Sequence, residues 1–451
     1  MASWDRARLH DKRQARDTMN KLPDESDGRA EHVSTRPLST SIGLEETGPG
    51  LTDDTPELDN PRYRIDEEIE RGGMGAIFSA RDLQLLRRVA IKVLRSDRIE
   101  IDSARQGFHD EARIMSFLSH PGVTPIYESG TCKDGRPYYV MKLIDGTTLA
   151  DMLASQTFST SHLLYIFADV CQTVAFAHSR GVVHLDLKPG NVMVGEFGEV
   201  HVMDWGLARF EAGPPEGSDW AGRTDAPKGT VNGTPGYMSP EQARGRKLGP
   251  GADVFSLGAI LCEILIGHAP YEGKDLHQIH RRAMKGSMQK TLDVLDQSAQ
   301  DCALVRLAKN CLARRVRDRP RSAVEVAQAM ATYHESAFQR MESDMNRFFE
   351  LSLDLFCIAT ADGYFQRINA NFSRVLGHTD ADLLARPFLD FVHPDDVAET
   401  VKQMQLLQQG QAVVGFRNRY RTASGDFKVL EWMAQSVDND NIIFAVARSV
   451  V

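Results

Sequence analysis

The segment HLDLKPGNVM carries the residues with the clearest chemical potential. Asp186, Lys188 and Asn191 fall within six residues, after a long amphipathic stretch. On a tight loop, a carboxylate, an ammonium group and an amide at this spacing suit a base, a phosphate-binding cation and a metal ligand. Further along, Asp204 of VMDWG stands beside a glycine at the predicted end of a strand, where a carboxylate suits Mg2+.

Weaker signals precede and follow this loop. ERGGMGAI contains Gly72, Gly73 and Gly75, which would let a backbone turn approach phosphates closely, although such clusters are also common turns. Lys92 ends the strand-like VAIK, and Glu111 follows 19 residues later in a helical pattern. An ion pair between them is one interpretation, and a surface lysine with a solvated glutamate is the other. GTPGYMSPE completes the series at Glu241.

The predicted secondary structure that must position these residues changes along the chain from mainly strands to mainly helices. From Tyr63, short strand-like runs (IFSA, RRVAIKVL, PYYVMKLI) surround one helical stretch, SARQGFHDEARIMSFLS. After Thr147 the pattern is mainly helical to about Tyr333, with TSHLLYIFADVCQTVAFAHSRG as its clearest amphipathic helix. The sequence therefore predicts a small β-rich lobe followed by a larger helical lobe, without regular βαβ alternation.

The order of these motifs over roughly residues 63–335 resembles that of a eukaryotic-type (Hanks-type) serine/threonine protein kinase, and is most similar to bacterial, planctomycete-like members. The resemblance implies an α+β bilobal kinase fold over residues 61–335, with an N-lobe (61–143) and a C-lobe (144–335). It implies ATP and Mg2+ as cofactors and a non-specific serine/threonine protein kinase, whose partners are protein substrates.

The resemblance also implies residue roles. The glycine-rich loop would cover the ATP phosphates, Lys92 would hold the α- and β-phosphates and pair with Glu111, and Asp186 would accept or orient the proton of the substrate hydroxyl. Lys188 would neutralise the γ-phosphate, and Asn191 with Asp204 would bind Mg2+. The adenine-binding set would be Ile69, Ile77, Ala90, Met141 as gatekeeper, Leu143 in the hinge 142–144, and Met193.

Other residues would support the activation segment. Thr234 would hydrogen-bond toward Asp186 and Lys188, Glu241 would pair with Arg319, and Asp253 would brace the catalytic loop. Ser218, Thr224 and above all Thr230 are candidate autophosphorylation sites, although a flexible polar loop is an equal interpretation for each. LKPGN after Asp186 is the serine/threonine form of the loop.

The sequence departs from the family pattern at three positions. Glu70 replaces the first loop glycine and could weaken ATP binding unless it points to solvent. Leu185 replaces the arginine that normally receives an activation-loop phosphate, so such phosphorylation need not be the main switch. Trp205 replaces phenylalanine, and we expect it to be tolerated. An active kinase is favoured over a weak or inactive scaffold, because no metal ligand or catalytic group is lost, and GTPGYMSPE disfavours a small-molecule kinase.

The C-terminal residues 351–451 resemble a PAS domain, with LFCIATADGYFQRIN as two strands around an Asp-Gly turn. PAS folds hold haem, flavin or metabolites, or only bind partners, and the ligand stays unknown here. Cys357 on the first strand disfavours a flavin adduct, and His393 is favoured as a helix cap over a haem ligand. Tyr420 and Trp432 could line a pocket, but core packing is favoured.

A short helix is predicted over residues 336–350, where Phe338, Met341, Met345 and Phe348 recur at spacings of 3, 4 and 3. This stripe could pair with a second chain or pack on its own neighbouring domain. We expect a homodimer through this helix and the PAS domain.

Composition bounds the remaining possibilities. The 451 residues carry 53 basic and 62 acidic side chains, a net charge of −9 that argues against a nucleic-acid partner. No run approaches the roughly 20 apolar residues of a membrane span, and a cytoplasmic location is expected. Six scattered cysteines suggest buried free thiols, and the polar residues 1–60 suggest a disordered tail.

Overall fold

The computed structural model describes residues 55–213, 231–437 and 442–450. Its strands are β1 (Tyr63–Arg71), β2 (Gly75–Asp82), β3 (Arg87–Leu94), β4 (Ile126–Thr131), β5 (Pro137–Lys142), β6 (Gly146–Thr148), β7 (Val182–Val183), β8 (Val192–Gly195), β9 (Val200–Val202), β10 (Arg209–Phe210), β11 (Leu355–Thr360), β12 (Phe365–Ile368), β13 (Val413–Arg421), β14 (Phe427–Val437) and β15 (Ile442–Val450).

Most helices lie after Thr147, as the sequence predicted. They are α1 (Asp102–Phe117), α2 (Leu149–Ser155), α3 (Thr160–Ser179), α4 (Pro240–Ala243), α5 (Pro250–Ile266), α6 (Leu276–Lys285), α7 (Gln289–Gln297), α8 (Cys302–Cys311), α9 (Ala323–Leu351), α10 (Asn371–Leu376), α11 (Asp380–Leu384) and α12 (Val397–Gln408). The predicted β-rich first lobe, carrying one long helix, and the helical second lobe are both present.

The first lobe is an antiparallel sheet in the order β1-β2-β3-β5-β4. Alternation places Phe78, Ile91 and Val140 in a buried cluster on one side. The predicted tail 1–60 lies outside the described residues except for its end. There Leu58 pairs with Cys132 next to β4, so residues 55–60 belong to the folded part.

The second lobe is built around two helices with nearly continuous burial. Helix α3 begins after Ser159, whose side chain accepts a hydrogen bond from the His162 N–H. Helix α5 has Pro250 in its first turn and ends at Gly267, whose φ of 81° suits glycine. Short sheets β6-β8-β9 and β7-β10 carry the loops of the candidate site between these helices and the first lobe.

One prediction about helix boundaries differs from the structure. Helix α9 runs without a break from Ala323 to Leu351, so residues 336–350 are the second half of a helix that begins in the kinase-like region. The helix is longer than the predicted short one because no proline or glycine interrupts residues 323–351.

The C-terminal unit is an antiparallel sheet in the order β12-β11-β15-β14-β13, with α10, α11 and α12 over one face. The predicted Asp-Gly turn connects β11 and β12, and Gly363 there has a φ of 96°. Leu355, Phe372 and Trp432 lie in its core.

Two further expectations concern the surface and the thiols. None of the helices in the described parts of the chain is long and apolar enough to cross a membrane. All six cysteines are free, and five are buried, but Cys302 is exposed at the start of α8. The expectation of buried thiols is therefore wrong for Cys302.

Candidate active site

The N-terminal sheet delivers a buried ion pair to the site. Lys92 on β3 donates to both Glu111 oxygens on α1, at 2.7 and 3.0 Å. Its Nζ also lies 4.0 Å from Asp204 Oδ1, which comes from the second lobe. Burial opposes the charge on Lys92, but Glu111, Tyr139 and Asp204 outweigh it and hold the pKa of Lys92 above its ordinary value. Lys92 is therefore a fixed cation at the junction of the two lobes.

The glycine-rich turn joins β1 to β2 above this lysine. The Gly72 N–H donates to the Gly75 carbonyl at 2.9 Å, which closes the turn. A Cβ on Gly75 would lie 2.7 Å from the Val93 carbonyl, so only glycine fits there, whereas a Cβ on Gly73 would meet nothing. Glu70 is exposed on β1 opposite Ile77, so its carboxylate is solvated.

The predicted catalytic loop brings its polar groups together. Asp186 Oδ1 accepts from both the N–H and the hydroxyl of Thr234, each at 3.0 Å. Lys188 Nζ lies 3.3 Å from Asp186 Oδ2 and donates to the Thr234 hydroxyl at 3.2 Å. Asn191 Nδ2 donates to the Asp186 carbonyl at 2.8 Å. The carboxylate is therefore held in one orientation from two sides.

The segment at Asp204 is fixed by its aromatic neighbour. Asp204 has a φ of 57° and a side chain that is 51% exposed, while Trp205 is fully buried. The Trp205 indole donates to the Val202 carbonyl at 3.0 Å, and its ring lies 4.5 Å from that of His184. Burial of the tryptophan therefore turns the adjacent Asp204 carboxylate outward, toward Lys92.

The predicted adenine-binding residues come from five strands and the hinge. In the sheet, Ala90 on β3 stands opposite Met141 on β5, and both are buried. Ile77, Leu143 and Met193 are half-buried, and Ile69 is 51% exposed at the end of β1. Such an apolar set suits a flat ring.

The catalytic loop is braced from below by Asp253, which is fully buried at the start of α5. Its carboxylate accepts from the N–H groups of His184 and Leu185 at 2.7 and 2.8 Å, and from His178 Nε2 at 2.9 Å. The other nitrogen of His178 accepts from the Ala323 N–H at 3.1 Å, so both ring nitrogens are hydrogen-bonded. Burial raises the pKa of Asp253, but the hydrogen bonds from His178 and from the His184 N–H lower it by more, so the net shift is downward.

Leu185, where the family pattern has arginine, is buried. It lies in a small apolar cluster with Val183 and Ala252, against which Leu207 and Leu248 pack. Its φ of 71° is held by the Asp253 hydrogen bond to its N–H. The position therefore contributes apolar contact, not a phosphate-binding charge.

The predicted pair Glu241–Arg319 is buried and bidentate, with contacts of 2.6 and 3.0 Å. Arg319 also donates to the carbonyls of Gly251 and Ala313, both at 2.7 Å. This pair connects helix α4 to the start of α5 and to the loop after α8.

The sequence analysis missed two residues that position the site, Gln242 and His178. It also proposed three phosphorylation sites that lie outside the described residues. Gln242 donates to the carbonyls of Leu185 and Asn232, at 2.6 and 3.0 Å, and His178 holds Asp253. No motif singles out either residue. Thr230 lies outside the described residues, as do the candidate sites Ser218 and Thr224.

The C-terminal unit contains a cavity of about 60 Å³, lined mainly by apolar side chains that include Cys357, Tyr420 and Trp432. Tyr420 and Trp432 therefore have each of the two predicted roles: they pack in the core and they line a cavity. This volume is far below the roughly 300–1,000 Å³ of sites for drug-sized ligands, so a haem or flavin does not fit the cavity as it stands. His393 Nδ1 accepts from the Asp395 N–H, which is the predicted cap.

Comparison with known proteins identifies the class. The protein kinase domain model matches residues 63–332, more than half of the chain, and the PAS fold model matches residues 366–447. The chain therefore belongs to the protein kinase family and carries a PAS domain, and the predicted α+β fold is confirmed. The domain boundaries stay predictions.

Two relatives show the branch of the family. Serine/threonine-protein kinase PknD of Protochlamydia amoebophila is 32% identical over 294 residues, which cover 60% of this chain and 30% of that protein. Serine/threonine-protein kinase PknB of Mycolicibacterium smegmatis is 38% identical over 223 residues, 49% of this chain and 35% of that protein. The bacterial resemblance is confirmed, and the chain spans about a third of the length of these relatives.

Proposed function

We propose that this protein is a serine/threonine protein kinase that transfers the γ-phosphate of ATP to hydroxyl groups of protein substrates. The observation that carries the proposal is the 4.0 Å approach of Lys92 Nζ to Asp204 Oδ1 across the two lobes, with Lys92 held by Glu111. A phosphate-binding cation and an exposed carboxylate for a metal ion thereby lie side by side. The similarity to the serine/threonine-protein kinases PknD and PknB supports the serine/threonine assignment.

The residues present fit ATP and Mg2+. The glycines of the turn leave its backbone accessible, and a Cβ on Gly75 is excluded by the Val93 carbonyl. The apolar set around Met141 suits adenine. Asn191 and Asp204 would hold Mg2+, which neutralises phosphate charge when bound. Asp186 would accept or orient the proton of the substrate hydroxyl, and the ammonium group of Lys188 would stabilise the transferred negative charge.

The test uses the purified full chain with Mg2+ and radiolabelled ATP. We expect incorporation into the protein itself or into a generic basic protein, on serine or threonine, and Asp186→Asn should abolish it. Asp169→Asn is the matched control, because this residue lies on α3 and no hydrogen bond to its carboxylate is found among the described residues. Equal incorporation by Asp186→Asn would refute the assignment. ATP consumption without labelled protein would favour a small-molecule kinase, and no consumption would favour the inactive scaffold.

We also propose that two chains associate through α9 and the PAS sheet. Four apolar side chains on one face of α9 are 59–68% exposed: Phe338, Met341, Met345 and Phe348. A contiguous exposed apolar patch of this kind is typical of a protein–protein interface. A groove of about 510 Å³ continues this stripe onto the sheet, where Val414, Met433 and Phe444 are also exposed. The stripe and the sheet face form one apolar surface that a second copy would bury.

Light scattering after size-exclusion chromatography tests the dimer in the full chain. We expect a mass of twice 50.2 kDa for the wild type and 50.2 kDa for Met341→Glu/Met345→Glu. Gln339→Glu/Ser343→Glu is the matched control, because it adds two carboxylates at the same spacing on another face of α9. A monomeric wild type, or a double variant that keeps the wild-type mass, would rule out this interface.

A further inference from the structure

Three segments of the second lobe concentrate positive charge. Residues 240–249, helix α6 and residues 313–321 together contain 11 Lys and Arg residues and 2 carboxylates, whereas the whole chain has a net charge of −9. The clustering therefore runs against the composition of the protein.

These segments are contiguous in space. Gly286, which ends α6, lies between the other two, because a Cβ on it would be 3.0 Å from Arg314 Cγ and 3.3 Å from Pro240 Cγ. His280 Nε2 on α6 lies 3.1 Å from the Ala243 carbonyl at the end of α4. We call the surface formed by 240–249, α6 and 313–321 the basic surface.

Most charges of the basic surface are solvated and unpaired. Arg319 is the exception, because it is buried against Glu241 and serves the fold. Five others are exposed, and within the described parts of the chain none of the five has a carboxylate within 4.0 Å: Arg246, Lys247, Arg281, Lys285 and Arg315. Several like charges without counter-charges create a positive potential that attracts carboxylates.

Two carboxylates that follow Thr234 in the second lobe are already engaged. Glu241 is bound by Arg319, and Glu263 on α5 accepts a hydrogen bond of 2.6 Å from the Tyr237 hydroxyl. Burial raises the pKa of Glu263 above its ordinary value, although the hydrogen bond from Tyr237 opposes this shift. Neither carboxylate is therefore free to attract a basic substrate.

The basic surface borders the side of the proposed site where a substrate hydroxyl would bind. Gln242 on α4 donates to the carbonyls of Leu185 and Asn232, at 2.6 and 3.0 Å. A Cβ on Gly233 would lie 2.8 Å from Gln242 Nε2 and 3.5 Å from Asp186 Oδ1, so a single residue separates α4 from the proposed catalytic carboxylate. A substrate segment that continues from the acceptor residue along α4 would therefore run onto the basic surface.

We propose that the basic surface binds acidic segments of protein substrates, in which Glu or Asp residues flank the Ser or Thr acceptor. The proposal rests on the proposed kinase function and names the class of substrate that the site would prefer. Its basis is the complementary charge of such a segment and the position of the surface beside Asp186. Single exposed ion pairs are weak, so several must act together, and the preference should depend on salt and on the number of carboxylates.

The first measurement is binding to the full chain without ATP, followed by fluorescence anisotropy. Two labelled peptides of equal length are compared, each with one central serine that is flanked on both sides by four Glu residues or by four Gln residues. We expect the Glu peptide to bind at least tenfold more tightly than the Gln peptide at about 50 mM salt, and the difference to shrink at about 300 mM. Equal binding of the two peptides overturns the proposal. So does tighter binding of a single-stranded DNA with the same charge as the Glu peptide.

Charge reversals locate the binding on the basic surface. Arg281→Glu/Lys285→Glu should weaken binding of the Glu peptide at least tenfold, because both side chains are exposed on α6. Arg374→Glu/Lys428→Glu, two exposed reversals in the PAS domain, is the matched control and should change the affinity less than twofold. A melting temperature equal to that of the wild type shows that each variant is folded. Unchanged affinity in the α6 variant, or an equal loss in the control, overturns the proposal.

A second pair of reversals, Arg246→Glu/Lys247→Glu, tests the neighbouring segment independently of α6. Both side chains are exposed between α4 and α5, so this variant should also weaken binding of the Glu peptide at least tenfold. Normal binding by this variant would show that the segment after α4 takes no part, which contradicts a surface that continues from the acceptor residue.

Kinetics distinguish this proposal from the proposed kinase function. With Mg2+ and ATP, kcat/KM for the Glu peptide should exceed that for the Gln peptide at least tenfold, through a lower KM. This ratio should fall below twofold in Arg281→Glu/Lys285→Glu. Phosphorylation of both peptides with equal kcat/KM would support the kinase function and overturn the docking proposal. Tight binding of the Glu peptide without phosphorylation of either peptide would support docking and contradict the kinase function.

Discussion

Replacing Asp253 by asparagine removes one buried negative charge with almost no change in shape. The carboxylate accepts from His184, Leu185 and His178, and all three donors are buried. An amide has one acceptor oxygen, so its NH2 group must face at least one of these donors. A change of tautomer at His178 gives no relief, because its other nitrogen already accepts from the Ala323 N–H.

The magnitude follows from these contacts. Losing one charge-assisted hydrogen bond costs about 1.5–3 kcal/mol, and leaving a buried N–H unpaired adds about 1–3 kcal/mol. We therefore expect Asp253→Asn to lower the free energy of unfolding of the kinase domain by about 3–5 kcal/mol. For a domain of this size the melting temperature should fall by about 10 °C.

Thermal unfolding of the full chain, followed by fluorescence, measures this loss. Asp169→Asn is the matched control: burial raises the pKa of Asp169, so neutralising it should leave the melting temperature unchanged or raise it. Kinase activity should fall at least tenfold in Asp253→Asn while ATP affinity changes little, because Asp253 hydrogen-bonds to the backbone of the predicted catalytic loop. Among the described residues, no hydrogen bond joins it to the predicted adenine-binding set. A fall of less than about 2 °C, or an equal fall in the control, would refute the reasoning.

The pH dependence gives a second readout on the same residue. The pKa of Asp253 is lower in the folded protein than its ordinary value, so the folded state gains stability when the carboxylate is ionised. That contribution is complete above the unfolded pKa of about 3.9 and is lost as pH falls toward the folded value. The stability difference between wild type and Asp253→Asn should therefore be constant from about pH 5 to 7 and shrink below about pH 4.

Three other residues give simpler tests. Trp205→Phe should destabilise the kinase domain by about 2 kcal/mol, because it removes the hydrogen bond to Val202 and leaves a void in a fully buried site; an unchanged melting temperature would contradict this. Glu70→Gln should change the KM for ATP less than about threefold, because the side chain is solvated; a larger decrease would show that the carboxylate reaches the phosphates. Ellman's reagent should modify Cys302 alone in the folded protein, and Cys302→Ser should remove this fast phase.

The sequence predicted the parts of the site that are short and local. Asp186, Lys188 and Asn191 lie within one loop, so their spacing alone brings them together. Strand β5 could be predicted from a short run of apolar residues, because it is buried on both faces from Pro137 to Met141. Helix α3 could be predicted from its amphipathic pattern. The Lys92–Glu111 contact was one of two interpretations until the sheet and α1 fixed their distance.

Contacts between distant segments that belong to no family motif could not be predicted. His178 and Asp253 are 75 residues apart, and His178 is 145 residues from Ala323, so nothing local links the catalytic loop to the start of α9. Trp205 illustrates the same limit. As an aromatic replacing an aromatic it looked neutral, yet its indole N–H satisfies a buried carbonyl that phenylalanine would leave unpaired.

The catalytic loop is held by two kinds of contact, and neither uses a phosphate. From below, the Asp253 carboxylate fixes the N–H groups of His184 and Leu185. From the side, Leu185 is buried with Val183 and Ala252. An arginine at position 185 would need a counter-charge, and its unpaired charge would be costly to bury. Leucine removes that requirement, so the loop keeps its geometry through packing and hydrogen bonds that exist in the unmodified chain.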